Sequence, residues 1–260
     1  MFKNPESSIQ NSIQESKPAK RLEESRVRSV SVQKPGICMD GHGDAIRKLR
    51  THARTLAMHR YPVLIAGEIG TGKLRFARYV HELGSRASCP LVRVDCASAE
   101  SSVDAILADA ADGSSVIFEH VEESTPALQR ILTKTLASVR VSRGIIRIIA
   151  TTRRDLGVEV LEGRMLADLY FRLRVLTAEI PPLRERSEDI GSLGQSILEE
   201  IGRSEQFEPP ELTAEAIDVA RRFRWPGNVR QFKNELLRCA ARGQRIVGKQ
   251  VLAEGLDERV

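Results

Sequence analysis

The stretch "LIAGEIGTGKLRF", residues 64–76, decides how this chain is read. Gly67, Gly70, Gly72 and Lys73 satisfy the pattern G-x-x-x-x-G-K. Its context fits as well: "PVLIAGE" before it predicts a short buried strand, and "KLRFARYVHELGSR" after it predicts a helix. That helix is expected to bury Phe76, Val80 and Leu83 and to stop at Gly84. A glycine-rich loop between strand and helix curls its N–H groups around phosphate oxygens, the helix N-terminus adds positive potential, and the lysine supplies a point charge. The segment Gly67, Glu68, Ile69, Gly70, Thr71, Gly72, Lys73 and Leu74 is therefore the expected phosphate-binding loop. Leu74 stands where most such loops place the Ser or Thr that contacts magnesium.

Working outward, "PLVRVDC" (90–96), "SSVIFEH" (114–120) and "IIRIIATT" (145–152) are further short apolar runs, separated by helical stretches such as "TPALQRILTKTLASV" (125–139). Strands alternating with helices predict a parallel sheet covered on both faces. A helix upstream of the loop, "AIRKLRTHARTLAMH" (45–59), places Ile46, Leu49, Ala53, Leu56 and Ala57 on one face. Beyond Pro181 only helical patterns are read, in "SEDIGSLGQSILEEIG", "TAEAIDVARRF" and "NVRQFKNELLRCAAR", with Ser187, Thr213 and Asn228 as N-caps. The expected fold class is α/β, a P-loop sheet followed by a small helical domain. The expected organisation is a flexible tail over 1–35, an α/β nucleotide-binding domain over 36–182 and a helical lid over 183–260.

The chain has 260 residues, 41% hydrophobic and 29% charged, enough to bury a substantial core. No apolar run reaches the roughly 20 residues of a membrane-spanning helix, and the N-terminal stretch lacks the apolar core of a secretory signal, so a cytoplasmic location without membrane contact is expected. Cys38, Cys89, Cys96 and Cys239 are widely spaced and suggest neither a zinc site nor a disulfide framework. The net charge is +5, with a basic tail ("RVRSVSVQK") and a second excess from Arg221 to Lys249, where nine basic residues face only Glu235. Such a cluster can attract nucleic acid nonspecifically, although a solvated helical face is the preferred account of it.

The runs "GEIGTGKLRFAR", "RIIATTRRDL", "LADLYFRLRVLTAEIPPLRERSEDI" and "FRWPGNVRQFKNEL" together resemble the AAA+ domain of bacterial enhancer-binding proteins, the ATPases that activate sigma-54 RNA polymerase. The resemblance covers residues 36 to 258, and "PPLRERSEDI" and "WPGNVRQ" are its most specific parts. It implies ATP or ADP between subunits of a ring, a helical lid over the nucleotide, and a homo-oligomer or co-assembly with a related AAA+ regulator. Residue by residue it implies phosphate contact by Arg230 from the lid, a sensor position at Arg153, and an arginine finger at Arg172 beside Asp168. Trp225, the only tryptophan, reads as a core anchor of the lid.

The chain departs from this family where chemistry and sigma contact reside. The family's GAFTGA loop is not found, and "DCASAESSVDAILADAADGSSVIFEH" leaves room for one short helix in its place. Direct contact with sigma-54 is therefore not expected. The family's Asp-Glu pair, which organises Mg2+ and polarises water, is Glu119-His120 here; the Asn of "NCA" is Asp95; the sensor Asn is Arg153; one of two finger arginines is Leu166. Arg164 would substitute for it only by moving across. The catalytic candidates are thus Glu119, His120 and Arg172, with Glu119 the candidate for holding magnesium. The expectation is a nucleotide-binding regulatory protein with weak or absent hydrolysis. The alternatives are an active ring-forming ATPase in which His120 and Glu119 exchange roles, and a DNA-associated regulator. Relatives usually end in a helix-turn-helix domain, whereas this chain stops at Val260, so sequence-specific DNA binding is not expected.

Overall fold

A computed structural model of the chain describes residues 28–29, 41, 43–98, 103–206, 208–243, 245–250 and 252. Cys38 and nearly all of the segment read as a flexible tail lie outside them. The exception is a correction: Arg28–Ser29 (β1) pairs antiparallel with the edge strand of the sheet, Arg28 opposite Arg93.

Helix α1 (Asp44–Met58) buries all five residues that its periodicity selects, Ile46, Leu49, Ala53, Leu56 and Ala57. It leads into β2 (Val63–Ala66), the phosphate loop and α2 (Lys73–Leu83), which is capped at its end by Gly84. The buried face of α2 is Phe76, Ala77, Val80 and His81; Leu83, expected inside, is exposed because the helix ends there. Next come β3 (Leu91–Asp95), the short α3 (Val103–Asp109), β4 (Ser115–Glu119), α4 (Pro126–Ala137), α5 (Val139–Ser142) and β5 (Arg147–Thr152). Thr125 caps α4 by accepting from the Leu128 N–H, and Pro126 fits the first turn, where its missing N–H has no intrahelical acceptor to lose. Helices α6 (Leu156–Leu161) and α7 (Ala167–Leu173) precede β6 (Leu176–Glu179).

The six strands form one sheet in the order β1-β3-β4-β5-β2-β6, parallel except for β1. β4 and β5 are buried throughout, which explains their continuous apolar runs. β6 escapes a sequence reading because only Ala178 of its four residues is buried. One core packs against the face lined by Val94, Val116, Phe118 and Ile148, and a second against the face lined by Ile65, Ile117 and Ile149, where α1 and α2 lie. Arg147, fully buried at the start of β5, donates from Nη2 to the Leu56 carbonyl (2.6 Å) near the end of α1. Burial pushes its guanidinium down to about 10.

The C-terminal part packs α8 (Ile190–Glu205), α9 (Ala214–Arg222) and α10 (Asn228–Ala241) around a third core. Trp225 lies at its centre between Phe223 and Phe232, with its Nε1–H donated to the Ala220 carbonyl (2.7 Å). This part is not purely helical: Glu211–Leu212 (β7) and Ile246–Val247 (β8) form a short parallel pair, too brief for any alternation to register in sequence. Of the three expected caps, Thr213 caps α9. Ser187 lies within a 3-10 segment, Leu183–Asp189, ahead of α8, and Asn228 turns its amide elsewhere. Among the described residues no helix is long and apolar enough to cross a membrane.

Candidate functional site

The phosphate loop joins β2 to α2, and its glycines are required by its shape. Gly72 has φ 102° at the N-cap of α2, and Gly70 has φ 76°. A Cβ on Gly70 would also lie 2.1 Å from the Gly227 carbonyl oxygen, so loop and lid touch backbone to backbone. Lys73 donates from Nζ to the carbonyls of Gly67 (2.7 Å) and Glu68 (2.9 Å). Burial, chiefly, lowers its pKa from the usual lysine value; Glu122 opposes the shift, and Arg153 and Arg230 add to it.

The lid holds this loop through several bonds. Arg184 grips the Glu68 carboxylate with both Nη atoms (2.8 and 2.6 Å). Asn228, fully buried and in a left-handed backbone (φ 50°), donates from Nδ2 to Glu68 (3.1 Å) and to the Ile69 carbonyl (2.9 Å) while its Oδ1 accepts from the Leu183 N–H (2.8 Å). Arg230 N–H donates to Gly70 O (3.2 Å), and buried Arg186 donates to Thr71 O (3.2 Å). Arg184 first, then Asn228, holds the Glu68 carboxyl down at about 2.

Between the loop, the ends of β3, β4 and β5, and the lid lies a cleft of about 320 Å³. Its walls carry six basic side chains, Lys73, Arg75, Arg93, Arg153, Arg230 and Lys233, and one carboxylate, Glu119. Arg75 and Lys233 share Glu200 of α8 (3.1 and 2.7 Å), a bridge across the mouth of the cleft. Arg153, just after β5, pairs with Glu123 and lies 3.3 Å from Glu122, whose carboxylate also accepts from the Arg153 N–H (3.2 Å). His120 leaves β4 in a left-handed backbone (φ 53°), a conformation uncommon for a residue with a Cβ, and its Nδ1 lies 3.2 Å from Asp95 Oδ1. Glu119 is buried, with Arg93 Nη2 donating to Oε2 (2.6 Å) and Arg93 Nε 2.5 Å from Oε1.

Of the residues singled out in the sequence, Ile69, Gly70, Gly72, Lys73, Leu74, Glu119, His120, Arg153 and Arg230 surround this one cleft. Gly67, Glu68 and Thr71 shape the loop instead, with Thr71 fully buried and its Oγ1 donating to Glu68 O (2.9 Å). Arg172 is not on the cleft wall; it lies on α7, paired with Asp168 (2.9 Å) beside the exposed Phe171. Arg164 is held by Glu159 (2.6 Å) and Glu162. The basic run from Arg221 to Lys249 is divided: Arg230 and Lys233 line the cleft, Arg221 pairs with Asp218 and Arg238 with Glu235. Arg75, Arg93, Lys233 and Arg184 went unread as site residues, and Asn228 was read only as a helix cap. Arg93 alone left a signal, a charge inside the apolar "LVRVD", two residues before Asp95 and thus on the same strand face.

These residues do not fit a magnesium site. Leu74 offers no oxygen, and both oxygens of Glu119, the one carboxylate on the cleft wall, face Arg93. Among the described residues no group of three or more His, Cys, Asp or Glu is placed to hold a metal ion.

Residues 41–183 match the sigma-54 interaction domain and residues 184–259 the AAA+ ATPase lid domain. The chain is 35% identical over 230 residues to the Nif-specific regulatory protein of Azotobacter vinelandii, covering 77% of this chain and 43% of that protein. It is 34% identical over 226 residues to the response regulator PilR of Pseudomonas aeruginosa, covering 76% and 51%. It thus spans about half the length of the curated relatives it matches. The crystal structure of NtrX from Brucella abortus in complex with ATP superposes with a TM-score of 0.74 at 26% identity, over 84% of this chain and 55% of that one. NtrX has also been crystallised in complex with ADP. The RuvB motor of Thermotoga maritima shares the fold alone, at 14% identity and a TM-score of 0.61 over 84% of this chain and 69% of that one. With both parts of its architecture matched from residue 41 to residue 259, the chain belongs to the sigma-54 interaction domain family of AAA+ proteins.

Proposed function

We propose that this chain is a regulatory AAA+ module that holds ATP or ADP in the cleft between sheet and lid, hydrolyses it weakly or not at all, and does not itself remodel sigma-54. The observation that carries this reading is the composition of the cleft wall: six cations around a glycine loop, and no carboxylate free to polarise a water. Lys73 and Arg230 line this cleft, which supports giving them, with the loop N–H groups, to phosphate. His120 stands where a water-activating carboxylate is needed. An imidazole is a weaker base toward water there than the carboxylate it replaces. The connection between β3 and β4 holds only the seven-residue α3 in its described part, which supports the reading that no sigma-contacting loop is presented. The exposed α7, with Arg172 and Phe171, supports assembly with a second copy or with a related AAA+ chain.

Calorimetry with ATP and ADP tests the first half, with binding in the micromolar range expected. A steady-state phosphate assay tests the second, with turnover near background expected. Heat-free titrations would refute the binding reading, and robust phosphate release would refute the loss of hydrolysis.

One observation favours a second reading, an active ATPase. Asp95 holds His120 by Nδ1, which leaves Nε2 directed away from the carboxylate as a base, the orienting arrangement seen whenever a carboxylate fixes an imidazole tautomer. On that reading hydrolysis is measurable and vanishes in both Lys73→Ala and His120→Ala.

A further inference from the structure

A nucleotide site of this fold ordinarily gives its strand-end carboxylate to a magnesium ion that neutralises the phosphates. Here that carboxylate is already neutralised from within the sheet. Arg93 sits in register with Ile117, so Glu119, two residues further along β4, is its diagonal neighbour on the same face. Arg93 Nη2 donates to Oε2 at 2.6 Å, and Nε lies 2.5 Å from Oε1 as an ion-pair contact without a second hydrogen bond, with Glu119 only 5% exposed. Asp95 lies directly opposite Glu119 in the β3–β4 register, so two carboxylate-bearing residues are neighbours at the strand ends.

We infer that Arg93 is a built-in replacement for the divalent cation and that the cleft binds its nucleotide without magnesium. The inference rests on the nucleotide-binding reading above. Magnesium needs an octahedral set of oxygens and is usually held by one or two carboxylates. The cleft wall offers one, and any metal reaching it must either displace the Arg93 guanidinium or stand beside its charge. Arg93 lines the cleft, and its guanidinium has N–H donors for an anion beyond those turned to Glu119. A metal-free triphosphate is more anionic than its magnesium complex. It suits a wall on which Lys73, Arg93, Arg153 and Arg230 converge with a single carboxylate among them.

The test is calorimetric titration of the full chain with ATP in two buffers, one with excess MgCl2 and one with EDTA. The dissociation constants are expected to agree within about threefold, a difference under 1 kcal/mol. Binding that weakens about tenfold or more in EDTA would overturn the inference while leaving nucleotide binding intact. Binding in neither buffer would remove the nucleotide reading itself, and this inference with it. Arg93→Gln, which frees Glu119, is expected to weaken metal-free ATP binding about tenfold and to recover on adding MgCl2. A folded variant that binds metal-free ATP as tightly as the parent would overturn the role given to Arg93; the two-buffer comparison on the parent chain needs no variant.

Discussion

Lys73 donates to the carbonyls of its own loop, contacts that a terminal phosphate would replace with stronger charge-assisted bonds. Lys73→Ala is expected to weaken ATP binding by at least about tenfold, roughly 1.4 kcal/mol, by calorimetry. Glu68 makes a different prediction. Its carboxyl is held at about 2, below the ordinary 4.5, so it contributes stability that is present above pH 4.5 and is lost as pH falls towards 2. The pair with Arg184 is more than a third exposed on both sides, and solvent screening limits the contribution to about 1 kcal/mol or less. Glu68→Gln should lower the unfolding free energy at pH 7 by that amount, read from denaturant titration, and leave stability at pH 2 nearly unchanged. The loop residues were legible because a glycine pattern with a lysine states its own chemistry. Arg93 was not, since what matters is its diagonal partner on a neighbouring strand, a relation set by sheet register and invisible along the chain.

At the scale of elements, the lid is organised by Trp225. It is fully buried, in a left-handed backbone (φ 49°), and packed against Phe223 and Phe232. Trp225→Ala is expected to cost about 3–5 kcal/mol, seen as a lower midpoint in urea unfolding. Asn228→Ala removes the amide that joins Leu183, Glu68 and Ile69, and is expected to cost about 1–3 kcal/mol in the same measurement, since buried donors and acceptors lose their partner. The helices were legible wherever one face is buried and the other solvated, as α1 shows. Asn228 was misread because an Asn ahead of an apolar run looks like a cap whether its amide turns to its own helix or to a loop 160 residues away. Ser187 was misread because the 3-10 segment delays the start of α8 by a few residues. β6, β7 and β8 are too short or too exposed for alternation to appear.

Over the whole molecule, two cores flank the sheet and a third fills the lid, and the cleft lies where sheet and lid meet. A ligand bound there contacts both parts and so stabilises their joint folding. At a hundredfold excess over its dissociation constant, ATP should add about 2.7 kcal/mol. At about 2–4 °C per kcal/mol for a chain of this size, that is a rise in melting temperature of roughly 5–10 °C. Lys73→Ala should abolish most of it. The α/β class and the lid were legible because strand and helix periodicities change so sharply at Pro181. The closure of one part on the other was not, because it depends on Arg184, Arg186 and Asn228, polar residues that along the chain look like ordinary surface.

The contact of Gly70 with the Gly227 carbonyl has a mechanical meaning. No side chain lies between the turn of the loop and the first turn of α10, so there is no soft layer to absorb a displacement. A phosphate that shifts the loop must shift α10, and with it the whole lid core around Trp225. On the nucleotide-binding reading the lid would serve as the pointer of a gauge whose spring is the loop backbone, and even one methyl group added at residue 70 would jam it away from its resting mark.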